Sequence, residues 1–323
     1  MRIPGLKTIH QAARRFRSRL TGGAVILGYH RVCDEINDPF SMSVSPKNFA
    51  EHLQVIRNLA TLISMQALVT GLSVGELPRR VVALTMDDGY ADNLYNALPL
   101  LERYEMPATI FMVSGRLGQE FWWDELARFV FTEGAFANGF CLIIDGRKYE
   151  GHWQAERDIY EQQLQLLQNL YRALRPFAEE ERQMEMEKLW HSIGDVQIEQ
   201  PIHCALTPSE LRVLADCPLI EIGSHTRTHP ALAELNPNEQ RDEIQQSKAQ
   251  LEALLERPIT GFSYPNGSAS TETRTLVREA GFVSACSSDT DIARPGSDPF
   301  YLPRFWIPNW DGKQFSRWLA KWL

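Results

Sequence analysis

Closely spaced cysteines are absent from this sequence. No two of its five cysteines form a Cys-x-x-Cys pair, and their number is odd. A disulfide framework needs paired cysteines and a zinc-thiolate site needs closely spaced ones, so the sequence argues against both. It predicts a protein that works in a reducing compartment. The cysteines are Cys33, Cys141, Cys204, Cys217 and Cys286.

The sequence also lacks long apolar runs and an excess of basic residues. No segment approaches the roughly 18 consecutive apolar residues of a membrane span, and the N-terminus has no apolar core of a secretory signal. The formal net charge of -8 disfavours a nucleic-acid partner, because such proteins usually neutralise phosphates with a basic surface. We therefore expect a cytoplasmic protein that does not bind nucleic acid.

Residues 1–20 form a basic leader with a helical pattern. A basic amphipathic helix can lie on an anionic membrane surface, which predicts peripheral contact with the inner membrane. Packing of the same helix on its own domain is the alternative. The apolar residues at helical spacing are Leu6, Ile9, Ala13, Phe16 and Leu20, and the basic face holds Arg14, Arg15, Arg17 and Arg19.

Short apolar, β-branched runs alternate with helix-period segments through most of residues 21–323. This alternation is typical of an α/β fold with parallel strands. This alternation stops at about 116–206, where a hairpin signal and a long helical stripe predict a mainly helical insertion that caps the barrel. The predicted strands are Ala24–Gly28, Val81–Thr85, Ala108–Val113, Ile220–Gly223 and Gly261–Tyr264. The predicted helices include Pro46–Leu59, Tyr90–Tyr104, Pro208–Asp216, Asn238–Leu255 and Ser270–Ala280.

Two adjacent carboxylates follow the second predicted strand. Consecutive residues of a regular strand point to opposite faces, so Asp87 and Asp88 can serve one site only if the chain leaves strand geometry there. Gly89 permits such a departure because it has no side chain. The segment predicts either a pair of functional acids or a turn with solvated acids.

Two histidines follow the predicted strand Ile220–Gly223. His225 and His229, at positions i and i+4, would face the same way on a helical turn, and paired imidazoles suit zinc and similar divalent ions. An isolated pair with this spacing is usually coincidental. Its position at a strand end, in a chain where another strand ends in two aspartates, favours a metal site.

Four segments together resemble the motifs of one enzyme family. Residues 85–89 (Thr-Met-Asp-Asp-Gly) look like its Thr-Phe-Asp-Asp-Gly motif, and residues 225–230 look like its His-[Ser/Thr]-x-x-His-Pro motif. Residues 262–267 and 27–32 are similar to segments of the exopolysaccharide deacetylase branch. The chain thus resembles the polysaccharide deacetylase family (NodB homology, carbohydrate esterase family 4). The resemblance implies a distorted (β/α) barrel with a metal-dependent deacetylase site.

The resemblance also implies a role for each matching residue. Asp88, His225 and His229 would bind a divalent metal ion, zinc in the first place with cobalt, nickel or manganese as alternatives, and Asp87 would be the general base. A wall beside the metal would offer backbone amides to the charge that develops on the substrate oxygen. That wall consists of Tyr264, Pro265, Asn266 and Gly267. The implied substrate is an N-acetylated sugar in a cell-surface glycan or its precursor.

The chain departs from the family pattern in two respects. Ser263 stands where relatives carry an arginine that orients the base, and Arg304 is our candidate for the replacement cation, with a surface arginine as the alternative. Many relatives use a late histidine to protonate the leaving amine, whereas no histidine follows His229 here. His30 is the candidate acid because the strand ends of a parallel barrel face one mouth. A histidine satisfied inside the core is the alternative.

Two aromatic residues complete the candidates. Trp122 and Trp123 open the insertion, and flat apolar rings can stack on sugars, with packing in a core as the alternative. Two other functions stay open at this stage. The chain could be an amide hydrolase of the same fold that acts on a non-glycan small molecule, or a non-catalytic sugar-binding relative.

We predict that His225→Ala or His229→Ala removes bound metal and activity together. Two protein ligands hold a first-row cation less well than three, so the loss of one imidazole should empty the site. Metal analysis of the purified variants measures this directly. Full metal content in either variant would contradict the assignment.

Overall fold

The computed structural model describes residues 23–35, 38–133, 136, 139–152, 158–193 and 203–323. The basic leader predicted at residues 1–20 lies outside the described residues. Within the part of the chain that the structure describes, no helix combines the length and the apolar character needed to cross a membrane. The chain divides into two compact units, one made of the residues up to Leu117 together with Leu206–Leu323, and the other of Gly118–Ala205.

A sheet of eight strands, all parallel, forms the centre of the first unit. Its order is β11-β10-β9-β6-β5-β1-β12, and the short β4 pairs with the beginning of β5. These strands are β1 (Ala24–Tyr29), β4 (Thr61–Leu62), β5 (Val81–Met86), β6 (Ala108–Met112), β9 (Ile220–Ser224), β10 (Gly261–Ser263), β11 (Ser284–Cys286) and β12 (Phe305–Trp306). A separate parallel pair consists of β2 (Arg31–Val32) and β3 (Ser43–Val44).

Most helices of the first unit begin at residues whose side chains cap the first turn, and the exception is the short helix Leu98–Tyr104. Thr207, Asn236, Ser270 and Asp311 each form a reciprocal capping box, which satisfies backbone N–H groups that a helix start leaves without partners. The helices are α1 (Pro46–Leu59), α2 (Met65–Val74), α3 (Leu98–Tyr104), α7 (Pro208–Ala215), α8 (Pro237–Leu255), α9 (Thr271–Glu279) and α10 (Gly312–Leu319).

Both faces of the sheet are buried, which explains why its strands are continuous apolar runs rather than alternating ones. All six residues of β1 and all six of β5 are buried. One face packs mainly on helix α2, and the other supports the larger core with most of the remaining helices. The predicted α/β barrel class is confirmed, and each predicted strand begins at the residue expected.

The second unit contains a hairpin and three helices among its described residues. The hairpin turns at Asp145 and Gly146, both with positive φ, as the sequence predicted. The long helix expected there is confirmed as α5 (Ile159–Leu174), and a second helix follows it after Pro176, which has no N–H for a helical hydrogen bond. The elements are α4 (Trp122–Phe131), β7 (Phe140–Ile144), β8 (Arg147–Gly151), α5 (Ile159–Leu174) and α6 (Glu179–Ser192).

The predicted helix Tyr90–Tyr104 is interrupted by a π-helical turn at Asn93–Ala97. Pro99 lacks the N–H that a regular helix would donate to the carbonyl of Tyr95, and the wider turn absorbs that loss. The turn also buries Asn93, whose side-chain amide donates to the carbonyl of His30 over 2.9 Å. The irregular turn therefore anchors the loop that follows β1.

Candidate metal centre and its buried ion pair

The chain turns sharply after β5, between the two adjacent aspartates. The N–H of Asp87 still donates to the carbonyl of Tyr29 in the neighbouring strand, whereas Asp88 and Gly89 have φ values of 72° and 77°. A positive φ is rare for residues other than glycine. The φ of Gly89 lies in the left-handed region that glycine adopts without a steric cost. The turn sends the two carboxylates to different partners.

The two histidines lie on an irregular loop after β9, and the helical turn expected for them is wrong. Thr226 and His229 have φ values of 66° and 64°, which no right-handed helix contains. Pro230 follows directly and disfavours helical geometry at His229. The N–H of His229 donates instead to Oγ1 of Thr226 over 3.0 Å. The two rings nevertheless meet, with their centroids 4.9 Å apart.

Asp88, His225 and His229 converge on one point. Oδ1 of Asp88 lies 3.5 Å from Nε2 of His225 and 3.4 Å from Nε2 of His229, and one donor atom of each residue lies within 4.8 Å of the others. A carboxylate and two imidazoles form a donor set that suits zinc and its first-row neighbours. The three predicted ligands are thus brought together in a geometry that fits a divalent cation.

Hydrogen bonding fixes which nitrogen of His225 faces this point. Its Nδ1 lies 2.8 Å from the carbonyl oxygen of Ser263, to which it donates, and Nε2 is therefore left with a lone pair toward Asp88. Burial lowers the pKa of His225, although the charge of Asp87 acts in the opposite direction. Burial is the larger effect, and it favours the neutral imidazole that can bind a metal ion.

Asp87 is hydrogen-bonded to Arg304, and its Oδ2 also lies 3.7 Å from Nε2 of His225. The guanidinium donates from Nη1 to Oδ1 of Asp87 over 2.7 Å and from Nη2 to Oδ2 over 2.8 Å. Its remaining N–H groups reach Oγ1 of Thr85, Oγ of Ser263 and the carbonyl of Ser287. Arg304 is fully buried, so the surface alternative considered for it is wrong.

Ser263 belongs to the same cluster. Its hydroxyl donates to Oδ2 of Asp87 over 2.9 Å and accepts from Nη2 of Arg304. Burial alone would raise the pKa of Asp87, but the charge of Arg304, followed by His225 and the hydrogen bonds, holds that pKa well below its ordinary range. Asp87 is therefore a charged carboxylate at neutral pH, with its orientation fixed from two sides.

His30 lies at the end of β1 and stacks on Trp306. The ring centroids are 4.4 Å apart and the planes differ by 15°. Trp306 also lies 4.6 Å from the guanidinium carbon of Arg304, and Gly28 leaves room for it, because a methyl group there would lie 2.7 Å from the indole. Burial lowers the pKa of His30 to about 4 despite the opposing charge of Asp87.

The wall of residues 264–267 differs from the expectation in its details. The Tyr264 side chain is buried and donates its hydroxyl to the carbonyl of Phe300, while its N–H donates to Cys286. Pro265 has no N–H, and the N–H of Gly267 donates to the carbonyl of Tyr264. Within the described residues, Asn266 is thus the member whose N–H has no acceptor in the protein, and its side chain is exposed.

Trp122 and Trp123 are buried within the second unit. Trp122 stacks on Tyr171 and lies under Arg182, and Trp123 stacks on Phe121. These contacts are those of core residues. Their contact with a sugar stays a prediction.

Glu243 is a site residue that the sequence analysis missed. It lies on helix α8, 14 positions after His229 in the chain, and its carboxylate accepts hydrogen bonds from the loop between the two histidines. No motif spacing points to it, because the contact depends on how α8 packs against β9. The sequence marks Thr85 only as part of a motif. Its hydrogen bond with Arg304 could not be predicted either, because the fold brings the two residues together.

Comparison with known sequences identifies the chain's relatives. A sequence model described as "Polysaccharide deacetylase" matches residues 74–138 and 181–285, which together make up more than half of the chain. The poly-beta-1,6-N-acetyl-D-glucosamine N-deacetylase of Staphylococcus epidermidis is 29% identical over 108 residues, which cover 29% of this chain and 37% of that protein. The chain spans about a third of the length of the curated relatives it matches.

Solved structures match over nearly the whole chain. IcaB from Ammonifex degensii superposes with a TM-score of 0.61 at 17% identity and covers 92% of this chain and 97% of its own. The deacetylase PplD from Streptococcus pyogenes, determined in complex with acetate, gives a TM-score of 0.59 at 18% identity and covers 92% and 98%. At these identities the likeness establishes the fold.

Removal of the Arg304 charge should destabilise the protein strongly. In Arg304→Met the Asp87 carboxylate stays buried without its counter-charge, and such a change typically costs about 3–5 kcal/mol of the free energy of unfolding. Urea denaturation measures the difference. Arg241→Met is the matched control, because Arg241 forms an exposed pair with Glu279 and should cost less than about 1 kcal/mol. Equal stability of the two variants would contradict the central place given to the buried pair.

Proposed function

The chain belongs to the polysaccharide deacetylase family, and from this premise we propose that it is a metal-dependent hydrolase that removes acetyl groups from an N-acetylated sugar. The observation that carries the proposal is that a group of metal-type ligands and a charged carboxylate lie next to each other at one edge of the sheet. Three metal-type donors converge on one side of the β5 turn, and a charged carboxylate is held on the other. Metal-assisted hydrolysis of an amide requires a metal site and a nearby base, and these two groups could supply them.

The metal would be held by Asp88, His225 and His229. A divalent ion there, zinc by preference, would lower the pKa of the attacking water and polarise the acetyl carbonyl, which complements a base whose own pKa is held low. The protein's part is to keep Nε2 of both imidazoles and Oδ1 of Asp88 within reach of one point. The hydrogen bond from His225 to Ser263 supports this arrangement.

Asp87 would accept the proton of the attacking water. Its Oδ2 lies 3.7 Å from Nε2 of His225, so the carboxylate borders the metal site without being turned into it. Arg304 and Ser263 hold both oxygens in place and keep the group charged. In this proposal Arg304 takes the orienting role for which relatives use an arginine at the position of Ser263.

The N–H of Asn266 would meet the negative charge that develops on the acetyl oxygen. Among the four wall residues, it is the N–H that donates no hydrogen bond within the described protein and could therefore donate one to a substrate. A backbone donor of this kind stabilises developing charge without having to reorganise during the reaction. Tyr264, Pro265 and Gly267 then shape the turn that presents it.

His30 would protonate the leaving amine. It lies within electrostatic reach of Asp87 and His225, and its ring is held flat against Trp306. Because its pKa is lowered to about 4, the imidazole is neutral before the reaction and must first take up a proton. The proton that leaves the attacking water is the available source.

The substrate class follows from the relatives. The Staphylococcus epidermidis relative is named for poly-beta-1,6-N-acetyl-D-glucosamine, a polymer of an N-acetylated amino sugar, and we propose an N-acetylated sugar of a cell-surface glycan or its precursor as the substrate of this chain. The deciding experiment is acetate release from free oligomeric, lipid-linked and nucleotide-linked N-acetyl sugars. We expect release from at least one class that a chelator abolishes and zinc restores. No release from any class by metal-loaded enzyme would refute the proposal.

The two adjacent aspartates should respond differently to the same substitution. Asp87→Asn keeps the shape of the side chain but loses its basicity, so metal content should stay while turnover falls by about 10²-fold or more. Asp88→Asn should weaken metal binding, because an amide oxygen is a poorer ligand than a carboxylate. Metal titration and acetate release on both variants test this. If the two variants exchange these behaviours, their roles are reversed.

His30→Ala should distinguish two kinds of substrate. An amine needs protonation to leave, whereas an activated acetyl ester does not, so turnover should fall about 10²-fold or more on the amide and much less on the ester. Metal content should not change. Equal losses on both substrates would indicate positioning or folding, and unchanged turnover would make His30 a structural residue.

A further inference from the structure

The loop between the two metal-type histidines is held from two directions. On one side, the N–H groups of Ser114 and Gly115, which follow β6, donate to the carbonyls of Thr226 and Arg227 over 3.1 and 2.9 Å. Gly115 is required for this approach, because a methyl group on it would lie 2.7 Å from the carbonyl oxygen of Arg227. These two contacts provide donors for carbonyl groups of the loop. The N–H groups of the loop find their acceptor elsewhere.

Glu243 is the partner of those donors. Its Oε2 accepts from the N–H groups of Arg227 and Thr228 over 2.9 and 2.8 Å, and its Oε1 accepts from the Thr228 hydroxyl over 2.8 Å. Oε1 also lies 3.5 Å from Nε of Arg227. Glu243 is 7% exposed, so these are hydrogen bonds of a buried charge, which are stronger than those between neutral groups.

The helix that carries Glu243 is itself fixed to the metal-site strand. Oγ of Ser247, one turn further along α8, lies 2.7 Å from Oγ of Ser224, the residue before His225. Gln250 on the same helix accepts from the Ser114 hydroxyl over 2.6 Å. Helix α8 therefore holds the Glu243 carboxylate in a set position relative to the start of the histidine loop.

The loop needs such support because its backbone conformation is unfavourable. Thr226 is β-branched and yet has a φ of 66°, and His229 has a φ of 64°. Residues persist in this region only where the surrounding structure imposes it. Without Glu243, two backbone N–H groups and a hydroxyl would lose their acceptor at the point where the loop must bring His229 back toward His225.

We propose that Glu243 is a positioning residue that holds the loop from His225 to His229 in its metal-binding conformation. The inference rests on the proposed function only in assuming that the two histidines bind a metal. Partners that orient metal ligands from behind typically contribute about 10- to 100-fold to metal affinity. Glu243 acts through backbone groups of the loop rather than through an imidazole, so its loss should change affinity and ligand geometry together.

The test compares Zn²⁺ affinity in Glu243→Ala, Glu243→Gln and Asp242→Ala. Asp242 is the neighbouring acid on α8, and its side chain is exposed, so its removal controls for loss of a negative charge on this helix. Competition with a chromogenic chelator gives the dissociation constants, and the visible absorption of the Co²⁺-loaded proteins reports the ligand geometry. Thermal unfolding in the presence of a chelator shows whether each metal-free variant folds.

We expect Glu243→Ala to weaken Zn²⁺ binding about 10- to 100-fold, and Glu243→Gln to fall between Ala and the wild type, because its amide oxygen still accepts from both backbone N–H groups. The Co²⁺ spectrum should change in Glu243→Ala, and Asp242→Ala should match the wild type in both measurements. A folded Glu243→Ala protein with wild-type affinity and spectrum would overturn the proposal. If that variant does not fold, wild-type affinity in Glu243→Gln would overturn it.

The outcomes also separate this inference from the proposed function. A wild-type protein that binds neither Zn²⁺ nor Co²⁺ would reject the metal site, and the positioning role would fall with it. A wild-type protein that binds metal, with Glu243 variants that bind it equally well, would reject the positioning role alone.

Discussion

Arg304 and Asp87 form a buried ion pair in which the guanidinium donates all of its N–H groups to protein acceptors. Removing both charges from water is costly, and only good geometry with additional hydrogen bonds compensates for it. The acceptors come from β5, from the end of β10 and from the segment after β11, while Arg304 itself directly precedes β12. The pair thus connects strands from both ends of the sheet order, and the geometry of the candidate site depends on it.

The pair also explains how two neighbouring carboxylates acquire different tasks. Arg304 takes up both oxygens of Asp87, so this carboxylate cannot rotate freely toward the histidines. The left-handed turn at Asp88 then points the next carboxylate away from the guanidinium and toward His225 and His229. A regular strand would have placed one of the two acids on the opposite face of the sheet. The positive φ at Asp88 is therefore the structural origin of the different orientations of the two carboxylates.

The features that depend on a local sequence pattern could be predicted, namely the longer strands and the candidate metal ligands. Buried apolar runs located β1, β5, β6, β9 and β10, and the motifs located the three metal-type ligands. The loop conformation at Thr226 and His229 could not be predicted, because an i,i+4 spacing fits a helical turn equally well. Burial of the Tyr264 side chain also depends on tertiary packing, since its hydroxyl finds its acceptor at Phe300, far along the chain. Short strands such as β12 carry too few residues for a periodic signal.

The charge state of the site at neutral pH limits how protons can move through it. Asp87 is charged because Arg304 lowers its pKa, and His30 is neutral because burial lowers its pKa to about 4. Neither group holds a proton at the start, yet hydrolysis of an amide both releases a proton from water and delivers one to the departing nitrogen. In the proposed reaction these two demands would cancel, because the proton released by water could be passed to the departing nitrogen. Trp306 contacts both His30 and Arg304, so one aromatic ring packs on the proposed acid and on the residue that orients the proposed base.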